Sequence, residues 1–265
     1  MSGGMKERDA LEREVELGFE ELYYSPSSAI WWVSGDVEPQ EVHRRAEQYY
    51  GVIPANPGLP ERLRTQEPPQ TAERRVIFRD PRVAQEYVSR SYLAQERDPG
   101  DQKTAAALTM LAEILGGGTT SYLAEKLQFD AQIVTYSSAY YQGQSLDDTT
   151  FDLAVVPRPD VTLEAAEKAM DAAISTFMKE GVDPEQLKRI KAQMRAEQVY
   201  SRDNAERVAN RYGGALAIGL SVQDVQDWPD VLEAVTADAI MQAARDVFNL
   251  EASVTGWLMR EEVTQ

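Results

Sequence analysis

Three consecutive glycines in the middle of the chain, Gly116, Gly117 and Gly118, do most to limit the folds available to it. They follow residues 102–115, whose apolar side chains recur at helical spacing, and they break that helix because glycine disfavours a helix interior. Residues 119–121 supply hydroxyl caps for a second helix, predicted to run to about Phe129. The glycines therefore predict a sharp reversal between two helices, with close backbone approach.

A phosphate-binding loop is the other structure that a glycine-rich segment suggests. Its pattern needs a lysine directly after the last glycine, whereas Gly118 is followed by Thr-Thr-Ser and the next lysine is Lys126. The dinucleotide-binding pattern lies between a strand and a helix, and here both neighbours are predicted helices. We therefore interpret the glycines as a structural turn.

The order of the predicted elements is typical of an α+β fold, because strands come in adjacent pairs with helices between the pairs. Further helices are predicted over 162–179, from Asp183 and Pro184 to 199, and over 201–218, 221–232 and 236–248. The predicted strands are 74–79, 85–93, 132–141, 149–156 and 253–259. We expect an antiparallel sheet backed by helices on one face.

The first 54 residues are predicted to form a separate helix–strand–helix segment. Residues 8–24 and 41–50 have helical patterns, and the apolar run 29–34 (AIWWVS) is predicted to be a strand covered on both faces. Five of the thirteen prolines lie within 51–73, where no periodicity survives. The predicted organisation is a first segment (1–54), a proline-rich linker (55–73) and a C-terminal domain (74–265).

Composition argues against nucleic-acid binding and against a metal site. The chain has 27 Lys and Arg against 44 Asp and Glu, a net charge of −17, whereas nucleic acids require basic surfaces. It has no cysteine and one histidine, His43, which shares a helix face with Glu47. Two ligands are fewer than a closed zinc site uses.

No apolar run approaches the roughly 20 residues of a membrane span. The sequence leaves open whether the protein is located in the cytoplasm or in the periplasm.

Two tyrosines on the predicted strand after the glycine turn are candidate binding residues. Tyr136 and Tyr140 fall on one face of that strand, with Ser138 between them. Such a face is either a binding surface for an extended peptide or an ordinary half-buried strand, and the sequence leaves both interpretations open.

Four segments together resemble the insulinase/pitrilysin/mitochondrial-processing-peptidase family of zinc metallopeptidases. They are 115–138 (LGGGTTSYLAEKLQFDAQIVTYSS), 23–37 (YYSPSSAIWWVSGDV), 39–54 and 66–80 (QEPPQTAERRVIFRD). The resemblance covers nearly the whole chain from about residue 15. Zinc binding in this family needs an H-x-x-E-H helix and a distant glutamate. Because this chain has one histidine and therefore no such helix, the resemblance is to the C-terminal, non-zinc-binding portion of the family.

The resemblance implies a clamshell of related α+β domains. The chain would hold the tail of a zinc-bearing domain, up to about residue 54, followed by a complete domain that does not bind zinc. The zinc and its ligands would lie upstream of Met1, so no cofactor is expected in this chain. Many family members supply an arginine and a tyrosine that grip the substrate, but the matching positions here are Gln128 and Thr135, with Tyr136 one place later. A neutral glutamine lacks the forked cation of arginine.

The predicted function is therefore that of the C-terminal portion of an insulinase-like zinc metallopeptidase, inactive by itself. It would enclose a peptide substrate and dock on an N-terminal zinc-bearing domain or a partner subunit. The residues predicted to contact substrate are Gln128, Tyr136 and Tyr140. The alternatives are a non-catalytic structural or assembly subunit of the same family, and an unrelated α+β binding domain.

Overall fold

The computed structural model describes residues 13–24, 26–59 and 68–261. Within them, the chain folds into two compact units. The first comprises the described residues up to 59 together with 204–213, and the second comprises 68–203 and 214–261. The break between residues 67 and 68 falls inside the predicted linker, of which 60–67 lie outside the described residues. Sequence reasoning did not anticipate that 204–213 joins the first unit.

In the first unit, two of the predicted elements are helices, α1 (Arg13–Tyr23) and α2 (Pro39–Tyr49). The start of α2 follows from its sequence, since proline at its first position has the φ angle a helix needs. The prediction of a strand over 29–34 is wrong: this segment has no regular structure and no described strand pairs with it. A strand is held by hydrogen bonds to a neighbour. Instead, Trp32 Nε1 donates to Asn210 Oδ1 at 3.1 Å.

The second unit contains five strands and most of the helices. The strands are β1 (Arg74–Asp80), β2 (Tyr87–Ala94), β3 (Val134–Tyr141), β4 (Thr149–Pro157) and β5 (Ser253–Arg260). The α-helices are α3 (Lys103–Gly116), α4 (Leu163–Glu180), α5 (Pro184–Ser201), α6 (Ala205–Ala217, which begins in the first unit), α7 (Val222–Ala234) and α8 (Ala237–Val247). These bounds agree closely with the pattern-based expectations, because most helix starts carry side-chain caps: Thr162, Asp183, Ser221 and Thr236 each accept a backbone hydrogen bond.

The strands form one sheet in the order β1-β5-β2-β4-β3. The pairs β2–β4, β3–β4 and β2–β5 are antiparallel. The pair β1–β5 is parallel, so the sheet is mixed rather than wholly antiparallel. Two parallel strands must be joined by a long crossover connection. Between β1 and β5 this connection contains most of the second unit. The α+β class is confirmed.

One face of the sheet is buried against helices. Side chains alternate along each strand, and on β4 the three apolar side chains pointing one way, Phe151, Leu153 and Val155, are fully buried. They pack with helical residues such as Met110, Met170, Phe177 and Ile240 in one hydrophobic core. The opposite face is partly exposed, and on β4 it carries both polar and apolar residues, Thr150, Asp152, Ala154 and Val156.

The glycine turn reverses the chain as predicted. A Cβ atom on Gly116 would lie 1.8 Å from the backbone nitrogen of Ala139 on β3, so only glycine fits where α3 ends. The following helix differs from expectation. Beyond Leu123 it is a π-helix, Ala124–Asp130, instead of an α-helix ending near Phe129. The Ala131 backbone N–H donates to the carbonyl of Lys126, five residues back, at 3.1 Å. Local α-helical pattern cannot reveal this widening.

Candidate functional site

The edge strand β3 presents two large aromatic side chains away from the helices. Tyr136 and Tyr140 are 55% and 58% exposed. Side chains at every second residue of a strand share a face, so Tyr136, Ser138 and Tyr140 lie on the same face of β3. The intervening Ser137 points to the buried side. β3 pairs only with β4 in the sheet, so its other edge has no strand neighbour among the described residues. The predicted shared face of the two tyrosines is therefore present.

Gln128, the third predicted contact residue, lies elsewhere. It extends from the π-helix, and its Nε2 donates to Ser137 Oγ at 2.8 Å. Ser137 is 5% exposed and points to the helix side of β3. The structure thus brings Gln128 to the β3 edge, but on the opposite face from Tyr136 and Tyr140. Thr135, at the position where the resemblance implies a tyrosine, donates from Oγ1 to the carbonyl of Val156 at 3.3 Å.

A row of polar side chains continues from Tyr140 across the open face. Tyr140 on β3 is paired with Asp152 on β4, and Asp152 is paired with Ser91 on β2. The Asp152 carboxylate accepts hydrogen bonds from the hydroxyl of Ser91 and from Thr150 Oγ1, the latter at 2.7 Å. The sequence did not predict this row, because its members come from three strands whose register the sequence does not show.

On the helix side of the sheet, an ion cluster centred on the buried Glu167 joins β1, β2 and β5 to α4. The Glu167 carboxylate accepts from both Nη atoms of Arg75 at 2.8 Å, from Arg90 Nη2 at 2.7 Å and from Trp257 Nε1 at 2.7 Å. Arg90 also donates to Asp171. The hydrogen bonds from Arg75 hold the pKa of Glu167 below its usual value, although burial acts in the opposite direction. The cluster fixes β1, β2 and β5 to one helix and so stiffens the sheet that carries the open face.

The described residues do not fit a metal ion. Among 13–24, 26–59 and 68–261, no three side chains of the metal-binding types gather in one place. His43 is exposed on α2, and Glu47, which shares its helix, is exposed as well. A zinc site needs more ligands than this pair offers. As for membranes, none of the helices in the described part of the chain is long and apolar enough to cross one.

The site is carried by an α+β domain with one covered sheet face and a mixed five-stranded sheet. The sequence identifies which kind of domain this is: residues 11–194 match the family described as the Peptidase M16 inactive domain, and the chain belongs to that family. The resemblance inferred from the glycine turn and its neighbouring segments is confirmed. This domain is the inactive C-terminal domain of a zinc-protease family.

Known relatives agree with this assignment. The chain is 24% identical over 244 residues to the zinc protease PqqE of Helicobacter pylori, covering 91% of this chain and 53% of that protein. It thus spans about half the length of the curated relative it matches. A protease structure from Helicobacter pylori has a TM-score of 0.88 at 22% identity, covering 97% of this chain and 61% of that one. A peptidase M16 inactive domain from Pseudomonas fluorescens has a TM-score of 0.67 at 16% identity, covering 87% and 53%.

Proposed function

We propose that this chain encloses and holds peptide substrates for a zinc-bearing half of a peptidase, and performs no hydrolysis itself. The observation that carries the proposal is the exposed edge strand β3, with Tyr136 and Tyr140 on its uncovered face. The proposal that this chain performs no hydrolysis is supported by its membership of the inactive-domain family and by the poor fit of the described residues to a metal ion. The hydrolytic chemistry would belong wholly to the other half.

Substrate would bind as an added strand. An extended peptide can pair its backbone with the free edge of β3, and alternate side chains can then rest beside the tyrosines. Tyrosine suits this role because its ring covers apolar side chains while its hydroxyl stays hydrated. The hydroxyl of Tyr140 already donates to Gln142 Oε1 at 2.6 Å, which limits the ring's freedom before any peptide arrives.

The proposal also includes docking of this chain on the zinc-bearing half. In the first unit, Ile30, Trp31, Trp32 and Val33 are between 43% and 60% exposed, although they form a continuous apolar run. Contiguous exposed apolar surface of this kind marks protein interfaces. Support also comes from length, since PqqE of Helicobacter pylori extends well beyond the part this chain matches.

Peptide binding tests the role of β3. Fluorescence anisotropy with a labelled extended peptide should show roughly 2- to 12-fold weaker binding to Tyr140→Ala, the loss expected for one aromatic contact. Tyr200→Ala is the matched control, because Tyr200 is 75% exposed but lies on α5 instead of the sheet. A peptide with N-methylated alternate amides should bind poorly, since it cannot pair with a strand edge. Equal affinities for the parent chain and Tyr140→Ala would assign Tyr140 to packing or solvent.

Reconstitution separates the peptidase role from the alternative of a structural or assembly subunit. The purified chain, dialysed against excess zinc and then washed, should carry close to zero zinc and cleave nothing. Mixing it with the separately produced zinc-bearing half should restore cleavage of a quenched fluorogenic peptide. A stable complex without cleavage would favour the structural alternative, and zinc near one per chain would contradict the proposal.

A further inference from the structure

A groove between α5 and α7 in the second unit stands out from the rest of the molecule. Two adjoining hollows, of about 270 Å³ and 470 Å³, share Lys191, Arg195 and Glu233 among their lining residues. These volumes are close to those of small ligand sites, roughly 300–1,000 Å³. Neither hollow touches β3, so the groove is separate from the surface proposed to hold substrate.

The α5 wall of the groove is cationic in a strongly acidic protein. Lys188, Lys191, Arg195 and Arg202 line the hollows and recur at spacings of three, four and seven residues, which places them along one stripe of the helix and its C-cap. The α7 wall contributes only two carboxylates, Asp230 and Glu233. The groove therefore carries more positive than negative side chains, whereas the chain as a whole has a net charge of −17.

Three of these cations, Lys188, Arg195 and Arg202, have no side-chain partner among the residues that the structure describes. No hydrogen bond or ion pair there engages the guanidinium of Arg195 or that of Arg202, although carboxylates are abundant in the chain. Lys191 differs, because its Nζ donates to the carbonyls of Glu233 and Val235 at 2.6 and 2.7 Å. Lys191 thereby ties the end of α7 to α5 and sets the width of the groove, while the arginines remain available.

The base of the groove is apolar. Met110, Met194 and Leu232 line the smaller hollow between the charged walls. Met194 and Met110 are unbranched, and methionine adapts to side chains of different shape. A ligand for this groove would therefore combine carboxylates with an aliphatic group.

We propose that the α5–α7 groove is a docking site for an acidic peptide segment. Two of its carboxylates would pair with Arg195 and Arg202, and an aliphatic side chain between them would lie on the methionines. Charge complementarity favours this occupant, and the carboxylates of Asp230 and Glu233 would turn the peptide's own carboxylates towards α5. Arginine also matches a carboxylate with two parallel hydrogen bonds.

The spacing of the arginines sets the peptide sequence to test. Seven residues of helix advance about 10 Å. A polyproline-II segment advances about 3.1 Å per residue and has three residues per turn, so carboxylates three residues apart lie on one side and about 9 Å apart. A labelled peptide with two glutamates at this spacing and leucine between them is the probe. Its controls are the same peptide with adjacent glutamates and one with lysines in their place.

Binding should be measured by fluorescence anisotropy on the 265-residue chain at low and moderate salt. The double variant Arg195→Gln/Arg202→Gln should bind the probe roughly 10- to 100-fold more weakly, the loss expected for hydrogen bonds to a charged group. Arg189→Gln/Lys179→Gln is the matched control. It changes the net charge equally at exposed positions, one of them on α5, that line neither hollow.

Each outcome decides the matter. Selective loss in the Arg195/Arg202 variant, with thermal unfolding unchanged and Tyr140→Ala without effect, supports the groove as an acidic-peptide site. No binding to the parent chain at low salt overturns the proposal, as does equal binding of the lysine peptide. Equal weakening in both double variants would also overturn it, since only general charge would then be involved. None of these results depends on whether β3 holds substrate.

Discussion

Removing the Glu167 carboxylate should destabilise the second unit more than any surface change. The carboxylate accepts four hydrogen bonds from Arg75, Arg90 and Trp257, and Arg90 itself is only 2% exposed. In Glu167→Ala, Arg90 keeps Asp171 and Thr255 but loses its buried counter-ion. Breaking a buried ion pair from one side costs about 3–5 kcal/mol, because the charge that stays buried loses compensation. Here that charge is Arg90, whose remaining counter-ion, Asp171, is partly exposed.

The measurement is urea unfolding followed by circular dichroism, with the free energy of unfolding extrapolated to water. A loss of about 3–5 kcal/mol corresponds to a melting temperature roughly 6–20 °C lower for a unit of this size. Lys168→Ala is the matched control on the next residue of α4. It breaks an i,i+4 pair with Glu164, in which the Lys168 and Glu164 side chains are 74% and 67% exposed, and should leave the free energy of unfolding nearly unchanged.

The lowered pKa of Glu167 also predicts a pH dependence of stability with a definite sign. Because the folded-state pKa of Glu167 is lowered, its contribution is present above the unfolded pKa of about 4.3 and is lost as pH falls. The stability difference between the parent chain and Glu167→Gln should therefore shrink below about pH 4. If Glu167→Ala matched Lys168→Ala at neutral pH, or if the difference grew on acidification, the cluster would not stabilise the fold as argued.

Two further predictions concern the glycine turn and a helix cap. Gly116→Ala should lower the free energy of unfolding by about 1–3 kcal/mol, because its Cβ would overlap the Ala139 backbone. In Gly214→Ala, inside α6, the new Cβ would meet nothing closer than 3.9 Å, so the free energy of unfolding should stay the same or rise by up to about 1 kcal/mol. Equal losses of unfolding free energy in the two variants, measured by chemical denaturation, would refute the close-approach argument. Ser221→Ala removes the capping box with Asp224 and should cost about 0.5–2 kcal/mol in the same assay. Part of that cost should fade as the pH falls below about 4, because the Ser221 hydroxyl donates to the Asp224 carboxylate and lowers its pKa. A cost that grew on acidification would refute this argument.

Sequence patterns recovered the elements whose causes are local. α4 and α5 follow from apolar periodicity and from caps at Thr162 and Asp183, all of which lie within a few residues of the helix start. The glycine turn follows from the low helix propensity of Gly116 and its neighbours. In each case the determining contacts are close in sequence, so the residues themselves predict them.

The features that the sequence did not predict depend on distant partners. The run 29–34 has the composition of a strand but no described neighbour to pair with, so composition alone misassigned it. For the site, alternation placed Tyr136 and Tyr140 on one face, but the row formed by Tyr140, Asp152 and Ser91 depends on the register of three strands. The same is true of Arg90 and Glu167, which are 77 residues apart.

The position of β5 has a consequence for how the second unit can fold during synthesis. β5 lies between β1 and β2, and Arg74 is paired with Val254, far along the chain. The antiparallel β2–β4–β3 part can form from nearby segments, but β1 has no partner until β5 emerges. At roughly 5–20 residues per second, that delay is about 10–40 s on the ribosome. Strand pairings over such long sequence separations form slowly. During this delay β1 is unpaired and accessible to chaperones or to aggregation, and it exposes three consecutive apolar residues, Val76, Ile77 and Phe78.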